Sequence, residues 1–533
     1  MRKSKILLGD ESIALGAIHA GLSGVYGYPG TPSTEIFEAV QAFDQEKKIH
    51  SIWSTNEKVA YEQALGMSFG GRRAMVTMKH VGLNVAADPF MNSAITGVQG
   101  GLVVVVADDP GMHSSQNEQD TRYLAHFAMV PLLEPGNQQQ AYDMALRAFD
   151  FSEKLNVPVV LRVVTRLAHS RANVLVEERG AEPKSMPPNE DARKWTLLPM
   201  NARKNFARLV EAQKTFQEAS EKSPDNRLTL RPGTSKGIIA TGIAANYILE
   251  NLPPDQKEFS ILQICEYPIP VGLIRKLVEK CDDILVVEDG YPFVESQLSG
   301  LLGLDGKRVR GKLSGDLPRT GELNPDLVRS ALGIPPRKSL AAAPSLAGRP
   351  PQLCTGCPHE FTFNALEEAL KDFPSGRVFG DIGCYTLGAL PPHNLIETCV
   401  DMGASISMGT GAAHAGIRPA ISAIGDSTFT HSGMTALLDA ARENTPMTVV
   451  ILDNATVAMT GTQPSAATGA ALLAILKGLG VREDHVVTME PLPKNHSTNV
   501  EIFKRELAHD GLSVIVAQRE CLEVRKKQRT AGA

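Results

Sequence analysis

At 533 residues, the chain is long enough for about three or four domains. Its 43% hydrophobic residues suffice for several cores, and its net charge of −5 gives no general attraction for nucleic acid or an anionic membrane. No apolar run approaches the ~20 residues that cross a bilayer, and no signal-peptide core follows Met1, so we expect a cytoplasmic protein.

Strand-like runs rich in β-branched residues alternate with Ala-rich helical stretches from the start of the chain. Strands are predicted at residues 6–8, 24–28, 73–78, 101–106 and 157–163. This alternation predicts parallel sheets covered by helices on both faces. A first α/β domain is therefore predicted to occupy residues 1–180.

The rest of the chain divides at changes of composition. Residues 181–232 are Pro-rich and charged, contain one helix at 201–222, and are predicted to be a connector. A second α/β domain is expected at 233–340, a Pro- and Ala-rich linker at 341–351, and a third domain at 352–533. The predicted fold class is α/β, with three doubly wound parallel-sheet domains.

Two polar side chains follow predicted strands of the third domain. Asp426 comes after the apolar run 420–424, and Asn454 comes 454 − 426 = 28 positions later, after the run 447–452. A carboxylate and an amide oxygen at the ends of parallel strands suit a magnesium ion whose other ligands are a diphosphate and water. The alternative is an ordinary Gly-Asp turn and an unrelated Asn.

This arrangement resembles the diphosphate motif of thiamine-diphosphate enzymes, although such enzymes usually carry glycine at the position of Ser427. Two further strings, GYPGTPSTEI at 27–36 and WSTNEKVA at 53–60, resemble the pyrimidine-binding domain of 2-oxoacid:ferredoxin oxidoreductases. Within that superfamily, three more strings resemble the large subunits of indolepyruvate:ferredoxin oxidoreductases. These are CTGCPH at 354–359, GDIGCYTLG at 380–388 and AMTGTQ at 458–463.

The resemblance covers essentially the whole chain and implies roles for individual residues. Glu57 would share a proton with the aminopyrimidine ring of thiamine diphosphate, although a Glu at this place could also be an exposed residue at a helix start. Asp426, Asn454 and the backbone carbonyl of Thr456 would bind Mg²⁺. The other cofactor-binding candidates are small or polar residues, namely Gly30, Asn84, Gly403, Ala404, Ser405, Gly425 and Ser427.

Thr31, His80 and Asn84 are predicted to lie near the keto acid because they follow strand ends that would face the cofactor. His80 could instead be a loop histidine with ordinary hydrogen bonds. The polar segment 108–122 after a strand end is a place where active-site lids occur, and its other interpretation is a solvated turn.

The cysteines suggest a second cofactor. Seven in so long a chain are too few for a secreted disulfide scaffold, and a single C-x-x-C pair is ambiguous between zinc, redox and iron–sulfur roles. The resemblance implies that Cys354, Cys357, Cys384 and Cys521 hold a [4Fe–4S] cluster. Cys399 is the rival fourth ligand, whereas Cys265 and Cys281 are predicted to be small core residues.

The resemblance implies oxidative decarboxylation of arylpyruvates such as indolepyruvate and phenylpyruvate to aryl-acetyl-CoA, with coenzyme A as co-substrate. The expected partners are a small (beta) subunit and ferredoxin or an iron–sulfur subunit, in a dimer of heterodimers. The long members of the family continue into a ferredoxin-like segment, but no cysteine follows Cys521, which indicates a form without that domain. The alternatives are another 2-oxoacid oxidoreductase, a non-oxidative thiamine-diphosphate decarboxylase, or a noncatalytic scaffold.

Overall fold

A computed structural model describes residues 2–178, 185–187, 192–337 and 352–531. The chain divides into two compact units, Met1–Leu340 and Ala341–Ala533. The predicted linker at 341–351 lies outside the described residues.

The first unit contains fourteen strands among its described residues. They are β1 Arg2–Leu8, β2 Gly24–Gly27, β3 His50–Trp53, β4 Ala74–Lys79, β5 Leu102–Asp108, β6 Leu132–Leu133, β7 Val159–Val164, β8 Arg171–Glu177, β9 Arg227–Thr229, β10 Lys236–Thr241, β11 Ser260–Ile264, β12 Glu266–Tyr267, β13 Asp283–Val287 and β14 Arg308–Arg310. The strands predicted in the first 180 residues are thus confirmed to within four residues at each end.

Fourteen helices accompany them in the described part of this unit. They are α1 Gly9–His19, α2 Thr34–Phe43, α3 Glu57–Phe69, α4 His80–Val85, α5 Ala87–Thr96, α6 Thr121–Ala128, α7 Gln138–Leu155, α8 Thr165–Ala168, α9 Ala192–Trp195, α10 Pro199–Glu221, α11 Ala244–Asn251, α12 Val271–Val278, α13 Phe293–Ser299 and α14 Pro325–Ala331.

Two large sheets form the first unit. One has the strand order β12-β6-β7-β5-β4-β2-β3, and the other has the order β14-β13-β10-β11-β9. All pairs are parallel except the edge pairs β12–β6 and β11–β9. A separate antiparallel pair joins β1 and β8. The strand β9 lies within the predicted connector yet pairs with the second sheet, and the predicted domain boundaries stay a prediction.

The second unit is built on one six-stranded sheet. The strands of this unit, including two outside that sheet, are β15 Arg377–Gly380, β16 Thr398–Cys399, β17 Ala420–Gly425, β18 Met447–Asp453, β19 Thr456–Val457, β20 Gln463–Pro464, β21 Val486–Met489 and β22 Leu512–Gln518. Its helices are α15 Pro358–Leu370, α16 Ala404–His414, α17 Asp426–Thr428, α18 Met434–Glu443, α19 Gly469–Gly478, α20 His496–Leu507 and α21 Leu522–Ala531. The sheet order is β16-β15-β17-β18-β22-β21, all parallel, while β19 and β20 form a small hairpin pair.

Alternate residues of the central strands enter different cores, which is the sign of a sheet covered on both faces. In β5, Val103 and Val105 belong to the core with α1 and α7, whereas Val104 and Val106 belong to the core with α3 and α5. The central strands β17 and β18 of the second unit divide in the same way. The predicted α/β fold class with three doubly wound parallel sheets is confirmed.

Buried ion pairs lie both within and between the two large sheets of the first unit. Arg122 of α6 pairs with Glu288, which follows β13, at 2.8 Å between Nη1 and Oε2. Arg162 of β7 pairs with Asp108 of β5 at 2.6 Å between Nε and Oδ2. These side chains are at most 1% exposed, so loss of one partner would leave a buried charge uncompensated. Among the described residues, no helix is both long and apolar enough to span a bilayer.

Candidate functional site

In the first unit, three predicted site residues lie at one edge of the seven-stranded sheet. The strands β3, β2, β4 and β5 are consecutive neighbours and parallel, so their C-terminal ends meet at the same edge. Thr31 lies in the loop after β2, Glu57 follows β3, and His80 follows β4. The structure therefore brings these three residues to one edge of the sheet.

Glu57 is the first residue of α3 and is only 5% exposed. The helix begins here because the side chain of Asn56 accepts a hydrogen bond from the Val59 amide at 2.8 Å. A Cβ placed on Gly82 would lie 2.7 Å from Glu57 Oε1, so the carboxyl group rests against backbone that only glycine can provide. Glu57 is thus a buried carboxyl group and not an exposed residue at a helix start.

The loop that carries Gly30 and Thr31 packs on the end of β4. A Cβ on Gly30 would meet Lys79 Cδ at 3.2 Å. The Ser114 hydroxyl donates to the Thr31 carbonyl at 3.0 Å, and Lys79 Nζ donates to the Ser114 carbonyl at 3.3 Å. The predicted lid segment 108–122 therefore contacts this loop through Ser114.

Lys79 is a buried cationic residue at this edge and was not singled out from the sequence. Burial lowers the pKa of its ammonium group to about 8, while the negative charges of Asp109 and Glu57 raise it partway back. The sequence feature that could have identified it is a lysine at the end of an otherwise apolar strand. Its positive charge is close enough to interact electrostatically with the carboxyl group of Glu57.

His80 and Asn84 lie on the short helix α4, and their environments differ. His80 is fully buried, and its Nε2 lies 3.1 Å from the Asn117 carbonyl, which can only accept a hydrogen bond. Its Nδ1 has no hydrogen-bond partner in the described part of the chain. Asn84 is exposed on this unit.

In the second unit, Asp426 and Asn454 lie at the ends of the neighbouring strands β17 and β18. Asp426 is 2% exposed, and its Oδ2 has no partner among the described residues. Burial, together with the charge of Asp453, raises the pKa of this carboxyl group to about 7, while the Ser465 side chain and a backbone hydrogen bond from Asn454 oppose the rise. Asn454 Oδ1 accepts from the Thr456 amide at 3.2 Å. A buried carboxylate oxygen without a donor, beside an amide oxygen, fits a cation ligand set.

An aromatic ring covers the glycines next to this pair. A Cβ on Gly425 would lie 2.8 Å from the ring of Tyr385, and a Cβ on Gly383 would lie 2.3 Å from it. Tyr385 is 3% exposed and forms an edge contact with His359. Gly425 therefore permits close packing between the Asp426 turn and the Gly383 turn.

The amides predicted to approach the diphosphate already donate within the protein. The Gly403 and Ser405 amides donate to the two carboxylate oxygens of Asp381, at 2.5 and 3.0 Å, and the Ala404 amide donates to the Asp401 carbonyl at 3.2 Å. Asp381 thereby caps the start of α16. A cofactor role for Gly403, Ala404 and Ser405 stays a prediction.

Ser427 and Thr456 are both buried near the two strand ends. The Ser427 carbonyl accepts from the Thr430 hydroxyl at 2.9 Å, and the Thr456 hydroxyl donates to the Gln463 carbonyl at 2.9 Å. The pairing of β19 with β20 fixes the loop that follows Asn454.

Four cysteines of the second unit lie close together. Burial, followed by the negative charges of Cys357, Cys521 and Cys354, raises the pKa of the Cys384 thiol to about 12, so all three lie within electrostatic range of it. The Cys357 thiol has a pKa raised to about 11 by burial, although backbone N–H groups at the start of α15 donate to its sulfur. The Cys521 amide donates to the Asn454 carbonyl at 3.1 Å.

The other three cysteines lie in different surroundings. Burial and the charge of Asp381 raise the pKa of the Cys399 thiol, and a hydrogen bond with the Thr386 side chain lowers it. None of the four grouped thiols contributes to this pKa shift. Cys265 and Cys281 are fully buried members of the first unit's cores, as predicted. The grouping therefore includes Cys521 and leaves Cys399 out.

Comparison with known proteins identifies the family. The thiamine-diphosphate-binding family of pyruvate flavodoxin/ferredoxin oxidoreductases matches residues 15–227, and the C-terminal domain family of thiamine pyrophosphate enzymes matches residues 381–516. The indolepyruvate oxidoreductase subunit IorA of Archaeoglobus fulgidus is 38% identical over 97% of this chain and 86% of its own length. The chain belongs to the IorA family.

Other IorA proteins are similar to the chain to the same extent. The Pyrococcus abyssi protein is 36% identical over 99% of this chain and 87% of its own length. The solved 2-oxoglutarate:ferredoxin oxidoreductase of Magnetococcus marinus is 17% identical, covers 58% of this chain and 62% of its own, and has a TM-score of 0.50, which supports the fold alone. This IorA chain is therefore the large subunit of a thiamine-diphosphate-dependent 2-oxoacid oxidoreductase, and its relatives' designation as a subunit implies a partner subunit.

Two further residues of the IorA chain's second unit were not singled out from the sequence. His359 is fully buried, and burial lowers the pKa of its imidazole to about 4; its Nε2 lies 3.4 Å from Asn454 Nδ2. Burial raises the pKa of the Asp381 carboxyl group to about 6. Both stand in strings that carry the family resemblance, but their contacts depend on the folded arrangement.

The position of Lys79 leads to a pH-dependent prediction. Its folded pKa of about 8 lies below the unfolded value of 10.5, so between these values the unfolded chain binds more protons and stability rises with pH. Between pH 7.5 and 10.5, we expect the free energy of unfolding of the wild type to rise by about 3 kcal/mol more than that of Lys79→Met. Urea unfolding without cofactor measures the difference, with exposed Lys58→Met as control. Parallel pH curves for wild type and Lys79→Met would contradict it.

Proposed function

We propose that this IorA chain catalyses the oxidative decarboxylation of arylpyruvates, including indolepyruvate and phenylpyruvate, to aryl-acetyl-CoA and carbon dioxide. In the balanced reaction, the carboxylate carbon leaves as carbon dioxide and the thiol sulfur of coenzyme A bonds to the keto carbon. One proton and two electrons are released. The substrate class rests on the names of the IorA relatives, and coenzyme A on the bound ligands named for the solved structural relative.

One observation carries the proposal of an electron-transferring enzyme. The Cys521 amide donates to the carbonyl of Asn454, so the loop with the fourth grouped cysteine is tied to the loop with the proposed magnesium ligand. A non-oxidative decarboxylase has no use for four cysteines at this place, whereas a one-electron acceptor next to the cofactor accounts for them. The grouping of four thiols suits a [4Fe–4S] cluster held by Cys354, Cys357, Cys384 and Cys521.

The second unit offers ligands for Mg²⁺ and the diphosphate. Asp426 contributes a buried carboxylate oxygen without a donor, Asn454 contributes an amide oxygen, and Thr456 contributes its backbone carbonyl. The ion would satisfy the one oxygen of Asp426 that the described residues leave unpaired. When bound, thiamine diphosphate supplies the electron sink that decarboxylation of a 2-oxoacid requires.

The first unit offers the proton-handling groups. Glu57 would hold the proton shared with the aminopyrimidine, and the fixed contact with Gly82 would keep its carboxyl group in place. The negative charge of Glu57 is one of the charges that raise the pKa of the Lys79 ammonium group, so the two side chains interact. His80, whose Nδ1 has no partner in the described part of the chain, would face the keto acid together with Thr31, and Asn84 would contribute an amide.

We also propose that the enzyme works in the cytoplasm as a dimer of heterodimers with a small subunit. It would pass electrons to ferredoxin or to an iron–sulfur subunit. A C2 arrangement is the commonest symmetry of soluble oligomers.

Anaerobic co-expression with the small subunit tests the substrate class. We expect dye-coupled oxidation of indolepyruvate or phenylpyruvate with a kcat/KM at least about tenfold above that for pyruvate or a branched aliphatic acid, because a pocket that fits an aryl group gains contact area with it. Omission of coenzyme A should stop formation of the thioester. Faster turnover of the aliphatic acids would contradict the arylpyruvate assignment, and aldehyde release without dye reduction would indicate the non-oxidative decarboxylase.

A further inference from the structure

The first unit contains a second group of polar side chains, which includes none of the residues to which a role was assigned above. Asp10 is the second residue of α1, Glu35 is the second residue of α2, and His169 directly follows α8. One ligand atom from each of the three lies within 4.8 Å of the other two. Two carboxylates and an imidazole thus converge from three different helix ends.

Asp10 is the unusual member because its carboxyl group has nothing to bond with. It is 0% exposed, and neither Oδ1 nor Oδ2 has a hydrogen-bond partner among the described residues. The next residue, Glu11, does have a partner: its Oε2 accepts a hydrogen bond from the Leu8 amide at 2.8 Å and so caps the helix. A buried carboxyl group left without donors is strongly unfavourable in a folded chain unless a proton or a cation occupies it.

The carboxylates near Asp10 add negative charge, and no neighbouring group among the described residues donates a hydrogen bond to its oxygens. Burial, followed by the charges of Glu35 and Glu11, raises the pKa of Asp10 well above its usual range. Glu35 Oε2 lies 3.5 Å from His169 Nε2, which is long for a hydrogen bond. The Glu35 and His169 side chains are 38% and 36% exposed, so an ion can reach the group from solvent.

We propose that Asp10, Glu35 and His169 form a binding site for a divalent first-row transition-metal ion of the zinc class. Zinc bonds of ~2.1 Å to nitrogen and oxygen place neighbouring tetrahedral ligands about 3.4 Å apart, close to the 3.5 Å between His169 and Glu35. An imidazole ligand favours zinc, iron or nickel over magnesium and calcium, which prefer oxygen donors alone. Water completes the coordination on the exposed side.

The fold around the site explains what the ion does. The start of α1 packs on α8 and on the residues that follow it. The Gly9 amide donates to the Ser170 carbonyl at 3.2 Å, and a Cβ on Gly9 would lie 2.2 Å from the Leu167 carbonyl oxygen. The helix α2, which carries Glu35, begins three residues after Thr31. The ion would therefore connect the starts of α1 and α2 to the end of α8, next to the loop that carries Thr31. Its role is structural. This proposal is independent of the proposed reaction.

Metal titration of the assembled enzyme, with its small subunit, magnesium and thiamine diphosphate in place and any cluster intact, tests the site. After mild chelation, we expect one equivalent of Zn²⁺ per large subunit to bind and, at a hundredfold excess over Kd, to raise the Tm of this unit by about 4 °C. Co²⁺ should bind with weak visible absorption of nitrogen and oxygen ligation, without the intense charge-transfer bands of thiolate ligation. Anomalous diffraction at the zinc edge should place the ion between the three side chains.

Three variants make the titration specific. Asp10→Asn and His169→Gln should each lose the zinc-dependent rise in Tm, and Asp10→Asn in chelator should be at least as stable as the wild type because an amide replaces a buried carboxyl group. Glu38→Gln, an exposed residue one turn further along α2, should behave as the wild type. Zinc titrations of Asp10→Asn and the wild type that coincide, or cobalt spectra dominated by thiolate bands, would overturn the proposal.

Discussion

Replacement of Asp426 by Asn should abolish magnesium-dependent binding of thiamine diphosphate and lower kcat/KM by at least about 10³-fold. The reason lies in the structure of the second unit. The Asp426 carboxylate is 2% exposed, lies beside Asn454, and has one oxygen without a donor among the described residues. An amide at this place keeps the shape but removes the negative charge that a divalent cation requires. Calorimetric titration with thiamine diphosphate and Mg²⁺ measures the binding.

The stability of the cofactor-free protein should not fall when Asp426→Asn loses cofactor binding. This difference distinguishes the loss of a metal ligand from a defect in folding. Without cofactor at pH 8, Asp426→Asn should be at least as stable as the wild type, because the buried carboxylate is absent. With Mg²⁺ and thiamine diphosphate at a hundredfold excess over Kd, the wild type alone should gain about 2.7 kcal/mol. Asp439→Asn, an exposed substitution on α18, is the matched control. Cofactor-induced stabilisation that persists in Asp426→Asn would refute a role as magnesium ligand.

The strand ends were the part of the site that the sequence revealed best. Asp426 and Asn454 each follow a continuous apolar run, and such runs form neighbouring buried parallel strands whose ends meet. His80 was found in the same way, because it follows a strand of the other parallel sheet, whereas Glu57 was identified through the family resemblance. Periodicity and strand order therefore predict which residues share an edge, although they say nothing about hydrogen bonds there.

Contacts between distant segments could not be predicted from the pattern. Asp381 occupies the amides of Gly403 and Ser405, and no local signal shows that a carboxylate 22 residues upstream reaches them. The low pKa of His359 and the position of Lys79 beside Glu57 depend in the same way on burial in the folded chain.

The edge strands were missed for a different reason. The strands β9 and β12 contain three and two residues, too few for an alternation of apolar and polar side chains to be detected. Both pair antiparallel at an edge, where one strand pairs with residues far away in the sequence. Short edge pairing of this kind is decided by tertiary contacts.

The cysteines provide the second large effect, and a matched pair of substitutions decides the fourth ligand. Cys521→Ala should eliminate the iron–sulfur electron paramagnetic resonance signal and lower ferredoxin reduction to background, at least about a hundredfold. Cys399→Ala should keep both, because Cys399 bonds with Thr386 and none of the four grouped thiols acts on it. Iron content, spectroscopy and ferredoxin reduction of the anaerobically purified complex give three independent measurements.

The two variants also separate the cluster from the thiamine site. The Asn454 carbonyl accepts from the backbone amide of Cys521, which the alanine substitution retains, so binding of thiamine diphosphate should persist in Cys521→Ala. Carbon dioxide release in a single turnover should also persist, while electrons fail to reach ferredoxin. An intact cluster signal in Cys521→Ala together with its loss in Cys399→Ala would reverse the assignment. Zinc in place of iron in the anaerobic wild-type complex would show that the four thiols form a structural metal site and that electrons leave by another route.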